Sequence, residues 1–219
     1  MTKDNNASSP KWRRRADDRP DEVMDAALDL FIEKGFAATR VQDIAHRAGL
    51  SKGALYLYFD SKEAIFKALV RRAIVPMVED GESMAKHTSD TPEQTVRLMM
   101  RVVARRLCDN RVAALPRLVI TEAGNFPEIA DMYREEVIER GFVVLGHIIE
   151  RGVRLGVFRP VDSKLAVRNI VGPILAHSLL SSVFKIGSTD IVAIDEFVDS
   201  HLDILFNGLL AEREGDRNG

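Results

Sequence analysis

The sequence predicts an all-α chain of about nine helices. Three observations predict it. Apolar residues return at spacings of three and four along most of the chain, the period of a helix with one buried face. No strand-like alternation runs beyond four residues. Aromatic residues make up only 6%, and 14 Gly and 8 Pro in 219 residues are too few for a sandwich of short, turn-linked strands.

The elements follow in order. Residues 1–11 are polar and bury too little to order themselves. Residues 1–18, with Trp12 and the run Arg13-Arg14-Arg15, are expected to form a flexible basic arm. From Pro20 a helical stripe begins, carried by Val23, Ala26, Ala27, Leu30 and Phe31, and Gly35 ends it. Thr39-Arg40-Val41-Gln42 reads as a capping box opening a short helix with Ile44, Ala45 and Ala48 on its apolar face. Ser51 caps a second short helix holding Leu55 and Phe59. Asp60 or Ser61 opens a longer one that runs to about Val78, with Phe66, Leu69, Val70, Ala73, Ile74 and Met77 on its inner stripe. Residues 19–73 are taken as the head.

Residues 74–212 are taken as the body. Thr91-Pro92-Glu93-Gln94 caps a helix that reaches about Cys108, with Pro at the first helical position. A segment from about Arg111 to Gly124 is interrupted by Pro116. Pro127 starts a long helix with Ile138, Phe142, Leu145, Ile148 and Ile149 in register, ending near Gly156. Asp162 caps a helix over 163–185, interrupted by Pro173, and Thr189 caps the last, over 190–211. Residues 213–219 are expected to fray.

Charge and composition exclude several function classes. The net charge of −2 is unevenly spread, +3 over residues 1–72 and −5 over 73–219, so the front of the chain is the part suited to meet phosphate. One cysteine, Cys108, excludes an internal disulfide and a Cys-cluster zinc site, and among apolar neighbours it reads as inert packing. His46, His87, His147, His177 and His201 show no metal-ligand spacing, and no metal or other cofactor is expected. The chain has no Gly-rich phosphate loop, nucleophile elbow or His/Asp/Ser cluster, and Glu135, Glu136, Glu139 and Glu150 fall on the wet face of a helix, so catalysis is not expected. No run approaches the ~18 apolar residues of a membrane span, and nothing apolar follows the basic N-terminal run, so a cytoplasmic chain is expected.

Residues 41–59, VQDIAHRAGLSKGALYLYF, carry the function. Two short helices flank the turn Ala48-Gly49-Leu50-Ser51, with Gly49 placed for the left-handed conformation that a helix-turn-helix needs. In such a unit the second helix enters the major groove of DNA. Once the core-facing Leu55 and Phe59 are set aside, Lys52, Gly53, Ala54, Tyr56, Leu57 and Tyr58 look outward. A merely solvated helix would show several charges there. Gly53 costs roughly 1 kcal/mol of helix propensity relative to Ala, which makes sense where a DNA backbone comes close. Tyrosine hydroxyls donate to phosphate, Lys52 adds charge at the groove edge, and Leu57 or Ala54 can touch a thymine methyl.

The stretch from Arg19 to about Ala73 resembles the DNA-binding domain of the tetracycline-repressor (TetR) family of transcriptional regulators. The matching features are Ala26-Ala27, Leu30-Phe31, Gly35-Phe36, Thr39, Val41 to Ala45, Ala48 to Gly53, Leu55-Tyr56, Tyr58-Phe59 and Ser61-Lys62-Glu63, in the family's order and spacing. The resemblance implies a three-helix N-terminal DNA-binding head with the helix-turn-helix, joined through the fourth helix to a larger C-terminal helical body that binds an effector and dimerises. It also implies that Thr39, Ser51, Tyr56, Tyr58 and Lys62 contact phosphates, and that Arg40, Lys52, Gly53 and Ala54 lie where base-edge or close backbone contact is usual. Leu57 departs from the pattern, where polar or aromatic residues are common. In the body, Leu118 to Ala123 followed by Phe126-Pro127 looks like the AcrR-type efflux-regulator branch.

Two further expectations concern the body. The last two helices are apolar on more than one face, which calls for a second partner. A two-fold interface between subunits, including Ile174, Leu179, Phe197, His201 and Leu205, would place two recognition helices about one DNA turn, ~34 Å, apart. Met84, Met99, Met100, Leu107, Phe126, Met132, Tyr133 and Phe142 are candidates to line a pocket for a small hydrophobic or amphipathic effector, since methionines adapt to irregular guests, although a methionine at helical spacing is more often plain core. The reading is therefore a homodimeric repressor of a palindromic double-stranded operator, released by an effector and needing no membrane. The alternative is an architectural DNA-binding protein without one.

Overall fold

A computed structural model describes residues 19–87, 90–187 and 190–207, and all regular structure among them is helical. The chain separates into two compact units, one through Arg71 and one from Arg72 onward. The proposed arm (1–18), the frayed tail (213–219) and Thr189 lie outside the described residues.

The first unit is built on three aromatic rings. Helix α1 (Arg19–Lys34) carries Asp21 and Glu22 in its first turn and Lys34 in its last, charges that oppose the helix dipole at both ends. Gly35, at φ +85°, ends it with its N–H donated to the Phe31 carbonyl at 3.0 Å. Phe31, Phe36 and Phe66 are almost fully buried, with ring centroids 5.0 to 5.9 Å apart in tilted and edge-on pairs. Around them pack α2 (Val41–Arg47), α3 (Lys52–Tyr56) and the first turns of α4 (Lys62–Ala73). Two exposed ion pairs, Lys34 with Asp43 and Arg47 with Glu33, pin α2 against α1.

The expected capping box before α2 is not formed. Thr39 is buried and donates its hydroxyl inward, to the carbonyls of Gly35 at 2.7 Å and Leu30 at 3.3 Å. Arg40 stands at the N-cap position, without a side-chain cap. The long helix expected from residue 60 to 78 is also two helices. Ser61 caps α4 as read, accepting from the Ala64 N–H at 3.1 Å, but α4 ends at Ala73 and α5 (Val75–His87) restarts beyond Ile74. Pro76 is the cause: it has no N–H for the Arg72 carbonyl and its ring crowds that turn.

The second unit is centred on α6 (Pro92–Cys108), opened by the predicted Thr91–Gln94 capping box with Pro92 in the first turn. Val96, Met100, Leu145, Ile148, Ile170, Val198 and Leu202 form its core, from α6, α9 (Arg140–Arg154), α10 (Ser163–Leu179) and α11 (Ile191–Asn207). Arg101 holds Asp199 through both carboxylate oxygens at 2.7 Å, and one turn along Arg105 pairs with Asp195, which fixes the register of α6 on α11.

Helix α7 (Asn110–Glu122) runs through Pro116 and α10 through Pro173, where the sequence predicts interruptions. The long helix from Pro127 is continuous, but between α8 (Pro127–Tyr133) and α9 it takes a π-helical turn over Arg134–Glu139. A second π turn, Leu180–Phe184, extends α10, and Lys185 ends it at φ +59°. Asp162 caps α10 as read, whereas α11 is capped by Asp190, whose carboxylate accepts from the Val192 N–H at 2.9 Å. Counted as continuous rods, the described residues form ten helices against the expected nine or so, the additional one arising from the break between α4 and α5.

Ser163–Phe184 is apolar and long enough to cross a bilayer by length and composition, although Lys164, Arg168, Asn169 and His177 interrupt its apolar run. Val167, Ile170 and Ile174 of this helix are buried in the body.

Candidate nucleic-acid interface and effector cavity

The helix-turn-helix forms as its residues require. Gly49 adopts φ +67°, and its N–H and that of Leu50 close the end of α2 on the carbonyls of His46 at 3.1 Å and Ala45 at 2.8 Å. The Ser51 hydroxyl then accepts from the Ala54 N–H at 3.1 Å and starts α3. Ile44, Ala45 and Leu55 are fully buried and Leu50 and Phe59 half-buried, so one side of α3 is fixed to the head.

The other side is open. Lys52, Gly53, Tyr56, Leu57 and Tyr58 are exposed and Ala54 half-exposed. Leu57 is 83% exposed, extreme for a leucine held at a helix end. A Cβ added at Gly53 would meet nothing within 4 Å, and no positive φ is involved, so the fold itself does not demand a glycine there. Lys52 lies 5.8 Å from the Tyr56 ring centroid, which holds its ammonium beside the exposed tyrosines. Arg40 is exposed as well.

Two of the expected phosphate contacts are engaged within the head. Thr39 is 2% exposed with its hydroxyl committed to backbone carbonyls, so its role is to hold the α1–α2 turn. The Lys62 ammonium donates to the carbonyl of Phe36 at 2.7 Å and of Ala37 at 3.3 Å. Sequence reasoning missed both because side-chain burial and backbone partners across a turn have no spacing signature.

The body contains a cavity of about 380 Å³, within the usual range for small-molecule sites. Of the eight expected lining residues it brings together Met99, Met100, Leu107, Tyr133 and Phe142. It leaves out Met84 and Phe126, and Met132, which is buried away from it. The sequence reading did not include Met77, Val78 and Gly81 of α5, Pro116 and Ile120 of α7, or Leu175, Ser178 and Leu179 of α10. Tyr133, Val137, Ile138, Gly141 and Phe142 project into it from the π turn and its flanks. A π turn rotates the following residues onto a new face, a shift that helical periodicity does not show.

The residues expected at the interface lie at different depths in α10 and α11. Ile174 is 2% exposed and belongs to the core of its own chain, so it is not available to a second subunit. Phe197 and His201 are half-buried in a row of stacked rings, His177 to Phe197 at 4.4 Å and Phe197 to His201 at 6.4 Å. His201 donates Nε2–H to the Ile170 carbonyl at 3.1 Å, since a carbonyl can only accept. Leu179 is half-buried and Leu205 exposed, and beside them Leu165, Leu175, Leu180, Val183, Phe184 and Ile204 are exposed.

Comparison with known proteins bears on both units. Residues 23–69 match the model of bacterial regulatory proteins of the tetR family, and residues 88–212 match a tetracyclin repressor-like C-terminal domain. The fatty acid metabolism regulator protein of Bacillus subtilis is 25% identical over 190 residues, covering 86% of this chain and 94% of the relative. Among solved structures, the fatty acid degradation regulator FadR from Bacillus halodurans aligns with a TM-score of 0.75 at 22% identity, covering 89% of this chain and 97% of that one. FadR from Bacillus subtilis, solved in complex with stearoyl-CoA, aligns with a TM-score of 0.71 at 23% identity, covering 86% and 98%. The helix-turn-helix with its open tyrosine-bearing face, the helical body and the two family matches, the second of which spans more than half of the sequence, establish that the chain belongs to the TetR family of DNA-binding transcriptional regulators.

Proposed function

We propose that the chain is a homodimeric repressor that binds a palindromic operator and is released when an apolar effector fills the cavity of the body. The observation that carries the DNA-binding half is the open face of α3. Two exposed tyrosines, a leucine and a glycine that the fold does not require make sense against a groove and not against water. In this reading Ser51, Tyr56 and Tyr58 meet phosphates, and Arg40, Lys52, Gly53, Ala54 and Leu57 lie toward base edges.

The release half rests on the cavity. Its lining is almost wholly apolar, and the Bacillus subtilis relative of the same fold was solved with stearoyl-CoA. Ile74, between α4 and α5, and Met77, Val78 and Gly81 in α5 contribute to the wall, and the backbone leads from there through the Pro76 break into α4. An effector that favours one position of α5 acts on the chain leading to the head. A differential affinity of 1–3 kcal/mol between the two states would give roughly 5–150-fold release. Dimerisation through the exposed apolar residues of α10 and α11, with Leu179, Phe197, His201 and Leu205 contributing, supplies the two-fold axis that a palindrome needs.

The test is a retained duplex titrated with apolar ligands. The reading expects DNA to be released over the concentrations that saturate the cavity. A complex untouched by a saturating ligand would support an architectural DNA-binding protein instead.

A further inference from the structure

The cavity of the body is lined by no Lys, Arg, His, Asp or Glu, and only two of its lining residues, Tyr133 and Ser178, carry polar side chains. The Ser178 hydroxyl is directed to the Leu107 carbonyl at 3.4 Å. The Tyr133 hydroxyl has no hydrogen-bond partner among the described residues, whereas every side-chain nitrogen or oxygen fully closed off from solvent there has one. The phenol is therefore open to a space that a water-sized molecule reaches. Tyr133 is half-buried and lines the cavity, and burial pushes the pKa of its hydroxyl up to about 12, as in a largely enclosed site. The space that fits both facts is the cavity that Tyr133 lines.

Two consequences follow for an occupant. A donor left without an acceptor in an apolar enclosure is costly, so a guest that presents one acceptor to it is favoured over a plain hydrocarbon. An ionised head inside the enclosure would meet no counter-charge, and an unpaired buried charge is far more costly than an unpaired dipole. Resting on the reading that the effector occupies this cavity, we infer that Tyr133 is its specificity-determining residue: the cavity takes a neutral, mainly apolar molecule that presents one carbonyl-type acceptor to the Tyr133 hydroxyl, and rejects the matching free carboxylate.

The test compares methyl octanoate, sodium octanoate at neutral pH and 1-octene on the full chain and on Tyr133→Phe, by displacement of a fluorescent apolar probe. The conservative variant keeps the ring and the packing, and its melting temperature checks that it folds. On the unmodified chain the ester is expected to bind about tenfold or more tightly than the carboxylate, since only the latter must bury an unpaired charge. Tyr133→Phe is expected to weaken the ester about fivefold, the size of one neutral hydrogen bond, and to leave 1-octene unchanged. Equal binding of ester and carboxylate, or an unchanged ratio of ester to 1-octene in the variant, overturns the inference while the cavity reading stands. Failure of all three molecules to bind the unmodified chain overturns the cavity reading itself, and this inference with it.

Discussion

Lys62 reaches back 26 residues to Phe36: its ammonium donates to the Phe36 carbonyl at 2.7 Å and sits 4.3 Å from the centroid of the Phe36 ring. It thereby holds the end of α1 to the start of α4 over a ring that belongs to the aromatic core. Lys62→Ala should destabilise the head by about 1–2 kcal/mol, from one charge-assisted hydrogen bond and one cation–π contact at a half-buried site. Thermal melting measures this. An unchanged melting temperature would show that the contact is idle.

Gly53→Ala separates fold from function. With open space around its Cβ, the substitution should leave stability unchanged or raise it by up to ~1 kcal/mol, while operator binding drops about tenfold or more, the size of a lost base contact. Melting curves and fluorescence anisotropy on the same sample check both halves. A variant that binds DNA as before would place Gly53 away from the duplex.

Tyr58→Phe should weaken all duplexes alike, because a hydroxyl on phosphate carries no sequence information. Lys52→Ala and Ala54→Leu should instead change which bases are preferred. Competition between two operator variants distinguishes these outcomes.

On α6 and α11 the Asp195 carboxyl is held below its ordinary value of 3.8, first by the hydrogen bond from Arg105 and then by the charges of Arg105 and Arg101. The folded state thus binds fewer protons at this site than the unfolded chain. Its contribution is complete above the ordinary carboxylate range and is lost as pH falls from there through the depressed value. Melting temperatures of the unmodified chain and Asp195→Asn should differ at neutral pH and converge in strong acid. A constant gap would assign the effect to packing.

Leu205→Glu puts a charge on the exposed apolar face of α11. The dimer reading expects a monomer with unchanged helix content and operator affinity reduced at least about a hundredfold, as two linked half-sites become one. Sedimentation and circular dichroism measure the two. A dimer that persists would move the interface elsewhere.

The elements that were legible in the sequence are those whose signal is local. Ser51, Thr91 and Asp162 cap helices through side chains two or three residues from the amides they accept from, and Gly49 marks a turn by a conformation few other residues adopt. Thr39 looked like the same kind of cap, but its hydroxyl finds partners in α1 and the turn after it, and tertiary burial overrides the local pattern. Pro76 breaks α4 from α5 and was readable, yet the apolar stripe from Phe66 to Met77 continues across it. The cavity was half legible. Met99, Met100, Leu107, Tyr133 and Phe142 meet in it, but the wall from α7 and α10 depends on how helices pack and on a π turn that no periodicity reveals.

The central claim is that the open side of α3 lies in the major groove, and selection from a randomised duplex pool at low salt tests it most directly. The claim predicts enrichment of a palindrome whose two half-sites are centred about one helical turn apart, ~34 Å, with preferences that shift in Ala54→Leu. A pool from which the purified protein retains no double-stranded sequence would contradict it.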